Sequence, residues 1–244
     1  MGEVSFVKHY KIAIVNSSSF GKYFPEQIEK LKKIGEIESF VFDIDISGKD
    51  LANALQGFNI VIASVRPFFN QEFFDNKDEL LLISRHGIGF NNVDVRAAKE
   101  HGTIVSIVPP LVERDAVAEN AVANLMALIR RTVESQDAVK VNEWAKRASF
   151  LGINVTGKTV GVIGCGNIGS RVAEILKFGF NARLLVVDPK IDKEWATKVG
   201  AEVVDLEYLL THADVISLNA SLNETRKYLI KEREFSLMKK GVYI

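Results

Sequence analysis

Cysteine is almost missing from this chain. Cys165 is the one copy among 244 residues, so no internal disulfide can form. That scarcity fits a reducing compartment, and the expected localisation is cytoplasmic. A surplus of either charge is also missing, with Lys plus Arg and Asp plus Glu at 31 each. No global field therefore favours nucleic acid or an anionic membrane as partner. Long uncharged runs are lacking too. The longest, Leu51 to Val65, contains Asn53, Gln56, Gly57 and Asn59, and is too short and too polar to span a bilayer. Met1 to Tyr10 carries Glu3 and Lys8 and has no apolar core of the kind a signal peptide needs. There is no internal repeat and no low-complexity tract. No metal ligand is expected. What remains is an ordinary soluble composition, 47% hydrophobic and 25% charged.

Short apolar runs alternate with amphipathic charged stretches, the rhythm of β-α-β units and parallel sheets. The expected strands of a first domain are Lys11–Val15, Ser39–Phe42, Asn59–Ala63, Leu80–Ser84 and Thr103–Val108. Helices are expected over Pro25–Ile34, Asp50–Leu55 and Val93–His101, the last stopped by Gly102. Pro109-Pro110 breaks the pattern, because proline lacks an amide donor and restricts the residue before it. The pair divides the chain into residues 1–108 and 109–244. Beyond it Val117, Ala121, Leu125, Leu128 and Ile129 recur at helical spacing from about Asp115 to Arg131, with helical sequence continuing towards Lys146. A second α/β series follows: strands at Lys158–Ile163, Leu184–Val187 and Val215–Leu218, helices at Asn167–Lys177, Glu207–Leu210 and Glu232–Met238, and a further strand starting at Val242–Ile244.

The chemistry-bearing segment runs from Thr159 to Gly169 and contains Gly164-Cys165-Gly166-Asn167-Ile168-Gly169. Glycines at this spacing are weak evidence alone. Here an apolar strand precedes them, a helix follows, and the next strand ends in Asp188, nineteen residues after Gly169. Gly164 allows the tight turn, Gly166 allows the backbone to approach a pyrophosphate, and Gly169 allows close helix–strand packing. The helix start then offers free amides and the positive end of its dipole to the anion. A carboxylate at Asp188 suits both adenine-ribose hydroxyls and repels a 2′-phosphate, so NAD is favoured over NADP, although Lys190 stands close by. Asn219, after the following strand, completes the expected cofactor set. Cys165, lacking a second thiol, is read as a small apolar residue of the turn rather than a redox group.

Several blocks now resemble the D-isomer-specific 2-hydroxyacid dehydrogenases, the family of phosphoglycerate, glyoxylate/hydroxypyruvate and D-lactate dehydrogenases. Ser84 to Asp94 resembles the family's Gly-x-Gly-x-Asp-Asn-x-Asp loop, and Val117-Ala118-Glu119-Asn120 the start of its long interdomain helix. Gly157-Lys158-Thr159 leads into the cofactor turn as the family's pattern does, and Phe235 to Gly241 resembles its Phe-x-x-Met-Lys-x-Gly. The resemblance implies a flavodoxin-like substrate domain followed by a Rossmann NAD-binding domain, incomplete at its carboxyl end. It implies that the amides of Gly87, Ile88 and Gly89 receive a substrate carboxylate, as flanking glycines forming an anion nest would allow. Arg85 and His86 become loop-supporting groups, and Arg66 a residue that could attract an anionic substrate. A homodimer through the helix at 115–131 is also implied.

Two departures stand out. Asn219-Ala220-Ser221 replaces the family's His-x-Pro, and Asn223-Glu224-Thr225 is shorter than usual. The family's catalytic arginine, glutamate and histidine are expected beyond Ile244, and none of His9, His86, His101 and His212 matches the catalytic motif. The expected activity is NAD-dependent reduction of a 2-oxo acid to a D-2-hydroxy acid, with little turnover from these residues alone. The alternative is a catalytically silent NAD-binding regulatory or structural module, as in the related carboxyl-terminal-binding corepressors.

Overall fold

The computed structural model describes residues 9–222 and 227–244. It divides into two compact units, Met1–Pro109 and Pro110–Ile244. The break falls at the proline pair.

The first unit is one parallel sheet. Its strands are β1 (Tyr10–Val15), β2 (Gly35–Phe40), β3 (Ile60–Ala63), β4 (Leu82–Arg85) and β5 (Ile104–Ser106), in the order β2-β1-β3-β4-β5. That is the flavodoxin-like order, with its switch point between β1 and β3. Alternate residues of β1 serve opposite faces. Ile12 and Ile14 pack with Ile28 and Leu31 of helix α1 (Pro25–Lys32). Ala13 and Val15 face Leu51 and Ala52 of α2 (Gly48–Ala54), Phe73 and Phe74 of α3 (Gln71–Asn76), and Ala97 and Ala98 of α4 (Val95–His101). Ser47, Asn70 and Asp94 each cap a helix by accepting a first-turn amide.

The second unit opens with α5 (Arg114–Ile129) and α6 (Thr132–Lys140). Sequence periodicity runs on through this region, but Arg131 takes a left-handed φ of 53° and separates the two helices. A short 3-10 turn over Trp144–Ser149 follows. Strands β6 (Thr159–Ile163), β7 (Arg183–Val187), β8 (Ala201–Val203) and β9 (Val215–Leu218) form a parallel sheet in the order β8-β7-β6-β9. This is the 3-2-1-4 half of a Rossmann sheet, with the switch point between β6 and β9. Tyr243 makes an isolated parallel bridge to Val215, beginning the next position. Val160 and Val162 face α5 and helix α7 (Asn167–Phe180). Ile163, Leu185 and Ile216 face α9 (Leu206–His212) and α10 (Glu232–Leu237).

Several expected boundaries shift. The strand expected at Ser39–Phe42 is β2, which starts at Gly35 and pairs with Tyr10. Its exposed Glu36 and Glu38 hide the pattern, because an edge strand needs few apolar residues. Three elements add to the expected set: α3, β8, and α8 (Lys193–Val199), capped by Asp192. Among the described residues no helix is long and apolar enough to cross a membrane.

Candidate functional site

In the second unit the turn after β6 is built from close contacts. Gly164 sits at φ 88°, in the left-handed region, and a Cβ there would lie 2.5 Å from the Ala220 amide nitrogen. The loop leaving β9 thus packs directly against the turn leaving β6. A Cβ on Gly169 would fall 1.9 Å from the Gly164 carbonyl oxygen, so only glycine lets α7 approach this closely. A Cβ on Gly166, by contrast, meets open space. No side chain caps α7, and among the described residues the amides of Gly166, Asn167, Ile168 and Gly169 find no protein acceptor. Four free donors at the positive end of a helix of fourteen residues, with clear space before them, fit a pyrophosphate.

Asp188 stands at the mouth of this turn. Its Oδ2 accepts from the Cys165 amide at 2.8 Å and its Oδ1 from the Lys190 amide at 2.7 Å. These bonds fix the carboxylate beside Gly166, where a ribose following the pyrophosphate would lie, and each oxygen keeps a second lone pair for a hydroxyl. Lys190 reaches Asp188 through its amide, and Arg183 forms a two-pronged pair with Glu202 at 2.7 Å per bond. Burial, and then the neighbouring Asp188 charge, push the Cys165 thiol up to about 12. A thiol so resistant to ionisation is a poor nucleophile, in keeping with its reading as filler. Asn219 donates its amide to Ile163 O at 2.7 Å and its side chain to Ser217 Oγ at 2.9 Å. It is therefore spent partly on holding the β9 turn against β6. The expectation for residues 223–225 lies outside the described residues.

In the first unit the turn after β4 stands beside the switch point. Gly87 has φ 151°, and the amides of Gly87, Ile88 and Gly89 find no protein acceptor among the described residues. Consecutive free amides in a glycine turn can hold one carboxylate. Asn92, only 6% exposed, donates to Ser64 O at 3.1 Å and Pro67 O at 3.0 Å, tying the loop after β3 to this turn. Sequence reasoning did not single out Asn92; a buried amide in a polar block is the signal that could have found it. Arg66 stacks on Phe68, its guanidinium carbon 4.0 Å from the ring centre. That arrangement uses its flat face and leaves the edge donors available.

The histidines are engaged individually. His86 Nδ1 lies 3.2 Å from Ser17 Oγ, and its ring meets Phe20 edge-on. His101 bridges Thr103 and Lys77 O, and His212 stacks on Tyr208. None has a carboxylate positioned to orient it for proton transfer, among the described residues. His9 approaches Glu36 at 3.8 Å, with both side chains largely exposed.

Comparison with known proteins follows the same lines. The family model of the D-isomer specific 2-hydroxyacid dehydrogenase NAD-binding domain matches residues 122–244. A putative 2-hydroxyacid dehydrogenase of Staphylococcus haemolyticus is 34% identical, over 88% of this chain and 67% of the relative. A glyoxylate reductase of Thermococcus kodakarensis is 31% identical, over 87% of this chain and 65% of its own length. The chain thus spans about two thirds of such relatives. The apo D-lactate dehydrogenase of Escherichia coli superposes with a TM-score of 0.81 at 33% identity, covering 96% of this chain and 72% of that one. The Aquifex aeolicus D-lactate dehydrogenase, solved with NAD and lactic acid, gives 0.78 at 26% identity, covering 95% and 67%.

Proposed function

This chain belongs to the D-isomer-specific 2-hydroxyacid dehydrogenase family and carries its NAD-binding domain, and on that premise we propose that its two glycine turns bind, respectively, NAD and the carboxylate of a 2-oxo or D-2-hydroxy acid. The single observation that carries the reading is the set of free amides: four at the start of α7 and three after β4. In the cofactor turn Gly164, Gly166, Asn167, Ile168 and Gly169 surround the pyrophosphate, Asp188 accepts from the ribose, and Asn219 borders the nicotinamide side. In the other unit Gly87, Ile88 and Gly89 take the substrate carboxylate, and Arg66 favours an anion nearby.

NAD(H), when bound, supplies the hydride. The residues described here bind and orient; they do not move the proton. His86, His101 and His212 are each hydrogen-bonded to a local partner and His9 is largely exposed, so we assign no acid–base group and expect little turnover from these residues by themselves. The same observation favours a second reading, a silent NAD-binding module of regulatory or structural use. We also propose that two copies associate through α5. It exposes Val117 and Leu128, and α6 adds Val133 and Val139.

The test is a titration with NADH, followed by nucleotide fluorescence and by melting temperature. Binding should appear, weaken about tenfold or more in Asp188→Ser, and remain tighter for NADH than for NADPH in the parent chain. No change in either signal with a folded sample removes the reading. Brisk NADH oxidation with glyoxylate, hydroxypyruvate or pyruvate would overturn the absence of an acid–base group and the silent-module reading together. Light scattering that returns a monomer at high concentration would remove the α5 dimer.

A further inference from the structure

Arg85 ends β4 directly before the Gly87–Gly89 turn, and it is 3% exposed. Burying a guanidinium is costly, and a strand end needs no charge to pack. Two of its hydrogen bonds bear on the turn. Nε donates to Gly89 O at 2.7 Å, and Nη1 donates to Ala63 O at 2.7 Å. One rigid fork therefore joins the end of β3 to the far end of the glycine turn. Nη2 lies directly beneath the bend: a Cβ added to Gly87 would stand 3.1 Å from it. Holding Gly89 O at Nε fixes the far end of the turn, and Gly87 O accepts from the Val108 amide at 3.2 Å, which turns the Ile88 amide of the same trans peptide the opposite way. The positive charge lies on the same turn as those three donors, where reduced solvent screening strengthens its attraction for an anion.

We propose that Arg85 is the positioning residue of the carboxylate turn. It anchors the far end of the turn that carries the Gly87, Ile88 and Gly89 amides to the end of β3 and places a guanidinium beneath that turn, without touching the substrate. The inference rests on the reading of that turn as a carboxylate site. Lysine keeps the charge but cannot hold both carbonyls in a fixed plane. Glutamine keeps one donor and loses the charge.

The experiment follows backbone amides by nuclear magnetic resonance while oxalate, a mimic of the 2-oxo acid head, is added. In the parent chain the Gly87, Ile88 and Gly89 signals should shift together. Arg85→Lys should weaken oxalate about tenfold and Arg85→Gln about a hundredfold, while NADH affinity stays within roughly twofold in both. A merely structural role would lower the melting temperature without this selective loss in folded protein. Folded variants that bind oxalate within roughly twofold of the parent overturn the proposal. The unmutated protein gives an independent check: the Arg85 Nε–H signal should be slow to exchange and should move along the same oxalate curve. Free exchange, or a signal that stays fixed, also overturns it. A parent chain that binds NADH but not oxalate removes this inference and the carboxylate reading, leaving the dinucleotide reading intact. Failure with NADH alone leaves the Arg85 test standing.

Discussion

The turn after β6 is shaped by side chains it does not have, and the turn after β4 by one side chain that reaches beneath it. Around Gly164 and Gly169 backbone packs on backbone, with no room for a methyl group at either position. Around Gly87 the backbone is looser, and Arg85 supplies the order through two hydrogen bonds. Both turns leave amides without acceptors. The difference lies in how each is made rigid, so the two should fail differently when altered. A steric lock breaks all at once, whereas a hydrogen-bonded brace loosens by degrees.

The largest effect should come from breaking the steric lock. Gly169→Val places carbon 1.9 Å from the Gly164 carbonyl, with α7 and β6 both fixed by their own ladders. We expect a stability loss of about 3 kcal/mol or more and NADH affinity lowered about a hundredfold. Thermal melts and NADH titration measure both. A variant that melts and binds like the parent would show that the turn has slack, and the contrast would disappear. Gly87→Ala should do less. The φ of 151° disfavours a side chain, but the nearest obstacle is the Arg85 side chain at 3.1 Å. A loss of about 1–3 kcal/mol is expected, with oxalate binding weakened and NADH binding untouched.

The comparison also explains which parts of the molecule could be read from sequence. The β6 turn is local: strand, Gly164, Gly166, Gly169, helix and Asp188 lie within one short stretch, and Gly169 meets Gly164 five residues earlier, although the Ala220 contact at Gly164 comes from far along the chain. The same holds for α4, announced by Asp94 and closed by Gly102. The Arg85 brace spans β3 and the β4 turn, and its meaning depends on strand order, which periodicity does not reveal. Helix α3 has six residues, and its buried Phe73 and Phe74 are adjacent, so it shows no helical repeat, although Asn70 is a fair capping signal. Strand β8 has only Ala201–Val203, two of them polar or small. The left-handed turn at Arg131 has neither glycine nor proline to mark it.

Cys165 sharpens the comparison from within the tighter turn. Its thiol is held protonated by burial and by Asp188, with the pKa at about 12 against a reference of 9.0. The unfolded chain would release this proton from about pH 9, while the folded chain keeps it to about pH 12. Between those values the unfolded state binds fewer protons, so stability must fall as pH rises. Cys165→Ser should remove that part of the slope and make the protein about 1 kcal/mol less sensitive near pH 10. Denaturant melts of both proteins at pH 8 and 10 measure the difference. Parallel slopes would show that the turn is more open to water than its packing implies.

The smallest effect should come from a second arginine, which isolates what burial adds to Arg85. Arg183 makes two bonds of 2.7 Å to Glu202, as short as those of Arg85 and better matched in charge. Yet both side chains are nearly half exposed, at 46% and 49%. Water and salt screen such a pair, and holding two long side chains in one pose costs entropy. Glu202→Gln should shift the melting temperature by less than about 2 °C, and less still in high salt. Arg85→Gln, which removes a guanidinium that is itself 3% exposed, should cost considerably more because it leaves the buried Ala63 carbonyl without its donor. If the two substitutions cost the same, hydrogen-bond length rather than burial would be the governing quantity, and the brace beneath the turn after β4 would be no stronger than an ordinary surface contact.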